Sequence, residues 1–182
     1  EAIESFSKFD VVLTQLEIPL VTVESICRRA HDENALMILN PAPAQRLSTD
    51  VLSNVDIITP NETEAQILTG VRVETEDDAF RAGKILCDKG VKQVIITLGS
   101  KGAYIFDGST SLLVPAFKVN AVDTTAAGDV FNGALCTALS ERMEIESAVR
   151  FASAASALAV TRKGAQDSAP TRKEVELFLK NQ

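Results

Sequence analysis

Apolar and polar positions along the chain alternate between two rhythms. Continuous apolar runs at Asp10–Leu16 (DVVLTQL), Leu36–Asn40 (LMILN), Asp56–Thr59 (DIIT) and Gln93–Leu98 (QVIITL) are separated by stretches whose apolar residues recur every three or four positions. The short runs, rich in β-branched residues, predict strands, and the periodic stretches predict helices. After the first run, Pro19 leads into a helix for which Thr22 is the expected N-cap. The second run ends at Pro41 and Pro43, and Leu47, Val51, Leu52 and Val55 then outline a short helix. Pro60 closes the third run. A short helix over Asn61–Thr69 stops at Gly70, and a longer one over Thr75–Lys89 stops at Gly90. The fourth run has no polar alternation, as expected for a strand covered on both faces. This order predicts an α/β fold, a doubly wound and mostly parallel sheet with helices on both faces. Ala103–Phe106 and Leu112–Ala116 flank the turn-rich DGSTS and predict a hairpin near one sheet edge.

The C-terminal third is helical. Ile145, Ala148, Val149, Ala152, Ala159 and Val160 mark a helix rich in Ala and Ser, whose small side chains suit close packing. Thr171 with Glu174 forms a capping box for a last helix, with Val175, Phe178 and Leu179 facing inward. Before these lies Asn120–Leu139, NAVDTTAAGDVFNGALCTAL, on which the rest of the chain depends. From Phe131 the apolar stripe Phe131, Ala134, Leu135, Ala138 and Leu139 has helical spacing, so the turn Ala126-Ala127-Gly128 is the mouth of a helix. These three residues offer almost no side chain to obstruct a ligand. The first amides of a helix lack partners within it, and its N-terminus carries about half a positive charge. The turn is therefore a candidate anion cradle. Asp129 follows at once, where a carboxylate can accept a proton from an attacking hydroxyl. The plainer alternative is that Gly128 only turns the chain and Asp129 only charges the first helical turn.

Composition narrows the classes. The 182 residues suffice for one substantial domain, and 18 basic against 25 acidic residues give a net charge of −7. That balance argues against nucleic acid or an anionic membrane as partner. The apolar runs are far shorter than a bilayer span. Cys27, Cys87 and Cys136 are odd in number and lack metal-ligand spacing, which suits reduced thiols in a cytoplasmic protein. His31 is the sole histidine, so no histidine-based catalysis can be built. The chain begins without Met, a few residues before its first predicted strand, and is expected to be the C-terminal portion of a longer protein.

Several loops at predicted strand ends carry further chemistry. Such ends are where open α/β sheets bind ligands. Pro60-Asn61-Glu62-Thr63-Glu64 is one, although Asn61 and Glu64 also have the spacing of a helix cap. Thr97-Leu98-Gly99-Ser100-Lys101-Gly102 is a second, without the GxxxxGK[ST] run of a P-loop. Glu17 ends the first strand, and Arg162-Lys163-Gly164-Ala165-Gln166 follows the Ala-rich helix.

The string DTTAAGD followed by FNGAL resembles the signature of the ribokinase-like carbohydrate kinases. QLE, LNPAPA, DIITPNETEA, ITLGSKG, that string and AVTRKGAQ appear in the family's order across essentially all 182 residues. The resemblance is nearest to members that phosphorylate ribose. It implies transfer of the γ-phosphoryl of ATP to the 5-hydroxyl of D-ribose, with Asp129 as general base in contact with the sugar and Ala126, Ala127 and Gly128 as the anion hole. It also implies ATP contacts at Asn61, Thr97, Leu98, Gly99, Ser100, Lys101, Gly102 and Gly128. Ser153 stands near the adenine position, where the family often has His or Asn. Glu17 would bind a sugar hydroxyl, and Glu64 would hold Mg2+ through water. Asp123, Thr125, Ala159, Arg162, Gly164 and Ser168 would surround K+. The family's N-terminal strands, most of its sugar contacts and the β lid that forms its homodimer have no counterpart here.

Overall fold

The computed structural model describes Phe6 and residues 8–182, which fall into two compact units. The first takes the chain up to Leu98 together with Tyr104–Leu113, and the second takes Gly99–Ala103 and Val114–Gln182.

The first unit is built on strands β1 (Val11–Thr14), β2 (Leu36–Leu39), β3 (Ile57–Ile58) and β4 (Gln93–Thr97), paired in parallel in sequence order. Helices α1 (Leu20–Asp32), α2 (Thr49–Leu52), α3 (Glu62–Thr69) and α4 (Glu76–Asp88) make the crossovers that parallel pairing requires. Strands β5 (Gly102–Phe106) and β6 (Ser111–Pro115) extend the sheet to six in the order β1-β2-β3-β4-β5-β6. Their connections are too short for a crossover, so both reverse direction and the sheet is mixed. The hairpin between them closes where the Asp107 amide donates to the Thr110 carbonyl at 3.2 Å.

Successive side chains of the strands point to opposite faces of the sheet. Met37, Leu39, Ile58, Val94, Ile96, Tyr104 and Phe106 join Val23 and Cys27 of α1, Ala65 of α3 and Ala79, Ala82 and Leu86 of α4 in one core. The intervening Ile38, Ile57, Ile95 and Ile105 are buried as well, so both faces of the sheet are covered. The unbroken apolar run of β4 has this cause. Gly83 lies against Phe106, whose ring meets Phe80 edge to face at 5.2 Å.

Thr22 is not the cap of α1. The helix begins three residues earlier than a Thr22 cap would start it, with Pro19 at φ −53° as its N-cap and the Thr22 and Val23 amides both donating to the Pro19 carbonyl. Proline already has the φ that starts a helix, so the first turn forms without a side-chain cap. The strands are shorter than the apolar runs, although the amides of Asn40 and Thr59 at the run ends still donate across to the Thr14 and Leu39 carbonyls, at 2.9 and 3.0 Å.

The second unit contains α5 (Ala127–Ser140), α6 (Ile145–Ala159) and α7 (Arg172–Lys180). Helix α6 buries Ala148, Ala152, Ala155 and Ala159, small residues that let α5 pack closely against it. Helix α7 carries the expected capping box of Thr171 and Glu174 and buries Val175. Phe178 meets Phe117 edge to face at 5.2 Å, and the Arg150 guanidinium lies 5.1 Å from the Phe117 ring centre. All three cysteines are free thiols, and burial pushes Cys27 up to about 12. Among the described residues no helix is long and apolar enough to cross a membrane.

Candidate active site

In the second unit the site is assembled at the first turn of α5. Ala126 is the N-cap in a left-handed conformation, φ 60°, which an L-residue with a β-carbon adopts at a cost of roughly 1–2 kcal/mol. That kink turns the chain directly into the helix, so Ala127, Gly128 and Asp129 occupy its first three positions. The Ala127 amide donates to the Thr124 carbonyl at 3.2 Å and that of Val130 to the Ala126 carbonyl at 2.9 Å. A β-carbon built on Gly128 would meet nothing within 4 Å. The bend is open, and Asp129 beside it is exposed.

Two side chains that the sequence pattern does not single out brace this turn. The Ser156 hydroxyl of α6 donates to the Ala127 carbonyl at 2.9 Å, and Asn132 Nδ2 donates to the Gly128 carbonyl at 2.9 Å. Asn132 is buried on the apolar face of α5, and a polar residue within an apolar stripe is the signal by which it could be found.

The segment before α5 is tied to the loop after α6. Asp123 Oδ1 accepts the Thr125 amide at 2.9 Å, and Oδ2 accepts the Gly164 amide at 3.1 Å. The Thr125 hydroxyl, then its amide and that of Gly164, hold the Asp123 carboxyl down at about 2. The Val122 and Asp123 amides both donate to the Val160 carbonyl, at 2.7 and 3.1 Å. The Ala159 carbonyl accepts the Arg162 amide at 2.9 Å, and the Arg162 side chain reaches Glu174 at 2.6 Å. Ser168 is fully buried, its hydroxyl donating to the Ala165 carbonyl at 2.7 Å. Asp123, Thr125, Ala159, Arg162 and Gly164 are thus brought together, with Ser168 fixing the same loop. Carbonyl and carboxylate oxygens are the ligands that suit a hard cation. Ser153 lies half-buried on α6.

In the first unit the named residues sit at the C-terminal ends of the parallel strands. Glu17 is exposed just beyond β1. Asn61, beyond β3, forms a parallel bridge with Thr97 at the end of β4, and the Thr97 amide donates to the Pro60 carbonyl at 2.9 Å. Asn61 and Glu64 form a complete capping box on α3, with Asn61 Nδ2 also donating to Glu64 Oε1 at 2.9 Å. Burial raises the Glu64 carboxyl, while the Asn61 amide works against that rise. The cap leaves each carboxylate oxygen a further lone pair, enough for a contact through water. The Leu98 side chain packs in the core, so only its backbone is placed to meet a ligand. In the second unit, Gly99–Lys101 forms a single exposed 3-10 turn leading into β5.

A family model described as pfkB family carbohydrate kinase matches residues 2–172. The chain belongs to that family. As a pfkB-family chain it is 51% identical over 172 residues to the ribokinase of Haemophilus influenzae, covering 94% of this chain and 56% of that one. It is 42% identical over 178 residues to the ribokinase of Bacillus subtilis, covering 98% and 58%. Among solved structures, the Arabidopsis thaliana ribokinase complexed with ribose and ATP superposes with a TM-score of 0.92 at 36% identity, covering 96% of this chain and 57% of that one. The family's mixed, mainly parallel sheet with its helices is the fold found here. The chain spans little more than half the length of the curated relatives it matches.

Proposed function

We propose that this chain carries the nucleotide-handling and proton-accepting part of an ATP-dependent D-ribose kinase. The observation that carries the reading is the open first turn of α5, with nothing within 4 Å of a Gly128 β-carbon and a carboxylate, Asp129, at the next residue. Similarity to ribokinases, one of them solved with ribose and ATP, supports the choice of sugar and nucleotide.

In this reading Asp129 accepts the proton of the ribose 5-hydroxyl as its oxygen attacks the γ-phosphorus, and ADP leaves with the bridging oxygen. The amides at the mouth of α5 stabilise negative charge on the phosphoryl oxygens as it transfers. Asn61 and Thr97 of the first unit, and the turn from Gly99 to Gly102 and Ser153 of the second, are the residues this reading assigns to ATP, and Glu17 is the one it assigns to a sugar hydroxyl. Glu64 is the residue that would hold Mg2+ through water. This fits an ion that keeps most of its own waters and takes one or two carboxylates with the phosphates, where it neutralises phosphate charge. Asp123 with the carbonyls around Thr125, Ala159, Arg162 and Gly164 would hold K+ and so keep the two loops flanking the turn in place. The homodimer belongs to the longer protein in this reading.

The test is a coupled assay of ATP turnover with ribose, 2-deoxyribose and fructose, on this chain and on one extended at its N-terminus to the length of its relatives. Ribose-dependent turnover in the extended chain is the expected result. Turnover with fructose but not with either pentose would replace the sugar while keeping the phosphate site.

A further inference from the structure

We propose that Ser156 and Asn132 are positioning residues for the α5 turn, fixing the two peptide planes whose N–H groups face its mouth. The inference rests on the phosphoryl reading of that turn. In a trans peptide the carbonyl of one residue and the amide of the next point in opposite directions. Ser156 Oγ donates to the Ala127 carbonyl and therefore fixes the plane that carries the Gly128 amide. Asn132 Nδ2 donates to the Gly128 carbonyl and fixes the plane that carries the Asp129 amide. A hydrogen bond to a carbonyl also polarises its own peptide group, which makes the N–H on the far side a stronger donor.

Helix integrity alone does not call for either contact. Within a regular helix the Ala127 and Gly128 carbonyls already face amides four residues on. A helical serine ordinarily bonds a carbonyl of its own helix, yet the Ser156 hydroxyl crosses to a helix 29 residues away. Asn132 occupies a position that is only 3% exposed, next to Phe131 and on the face that buries Leu135 and Ala138, where an apolar side chain would pack at no desolvation cost. Both polar side chains converge on the carbonyls of two successive residues at the mouth.

The experiment follows the Gly128 and Asp129 backbone amide resonances by NMR while the chain is titrated with inorganic tripolyphosphate and then with Mg2+·ATP. The parent is compared with Ser156→Ala, Ser156→Thr and Asn132→Leu. Both amides respond in the parent. Ser156→Ala moves the Gly128 resonance in the ligand-free chain and weakens tripolyphosphate binding about two- to tenfold, the worth of one hydrogen bond, without lowering Tm. Ser156→Thr restores the affinity. Asn132→Leu moves the Asp129 resonance and weakens binding similarly while Tm holds or rises. If the parent amides ignore tripolyphosphate, the phosphoryl reading fails and this inference with it. If they respond but Ser156→Ala and Asn132→Leu bind like the parent, the positioning role alone is overturned.

Discussion

The Asp123 carboxylate accepts the Gly164 amide at 3.1 Å across 41 residues of sequence. With the Thr125 amide on its other oxygen, this one side chain closes the segment entering α5 onto the loop leaving α6. The segment that leads into the first turn of α5 is thereby anchored within a single unit.

The Asp123 contacts predict a defined pH dependence. Its carboxyl lies at about 2, below the ordinary 3.8, chiefly through the Thr125 hydroxyl and then the Thr125 and Gly164 amides. A depressed native value means that the contribution is present above the unfolded value and is lost as pH falls through the native one. Asp123→Asn should therefore lower Tm relative to the parent above pH about 4, with the gap narrowing as pH falls and closing below pH about 2. Thermal melts across that window check it, and a gap that does not change with pH would remove the carboxylate from the role.

Gly128→Ala separates ligand binding from folding. The position has room for a methyl group and lies in a helix, where alanine is preferred by up to about 1 kcal/mol. Tm should hold or rise. Because the methyl stands in the open mouth, Mg2+·ATP affinity measured by calorimetry should fall about tenfold or more, by displacing phosphoryl oxygens from the amides. Unchanged affinity would mean that the turn is structural only.

Asp129→Asn should keep the fold and nucleotide binding while abolishing proton acceptance. Loss of a general base costs about 100- to 10,000-fold in turnover. The coupled assay on the N-terminally extended chain reads this effect, and turnover equal to the parent would exclude Asp129 as the base.

Gly102→Ala tests the entry to β5. Gly102 has φ +117°, and a β-carbon there would sit 2.0 Å from the Val114 carbonyl oxygen. Neither backbone can give way cheaply, so the variant should lose about 3 kcal/mol or more, a fall in Tm of about 6–12 °C for a chain of this size. A melt within 2 °C of the parent would contradict the close approach.

Much of this molecule is legible in local sequence. The apolar runs mark β1, β2 and β4, and Asn61 with Glu64 and Thr171 with Glu174 mark helix starts that the structure reproduces as capping boxes. These signals involve residues three or four apart, or short continuous apolar runs. The start of α1 is misread because a threonine cap is inferred where the fixed φ of Pro19 already starts the helix.

Sequence by itself determined the order of strands and helices, the turn of small residues leading into α5 and the carboxylate that follows it, because each is written in neighbouring residues. Only the tertiary structure decided that Ser156 braces Ala127, that Asp123 holds Gly164 and that Asn132 is buried. Those contacts join residues on different elements or depend on which face of a helix is covered, and no periodicity along the chain encodes which distant carbonyl a hydroxyl, carboxylate or amide will meet.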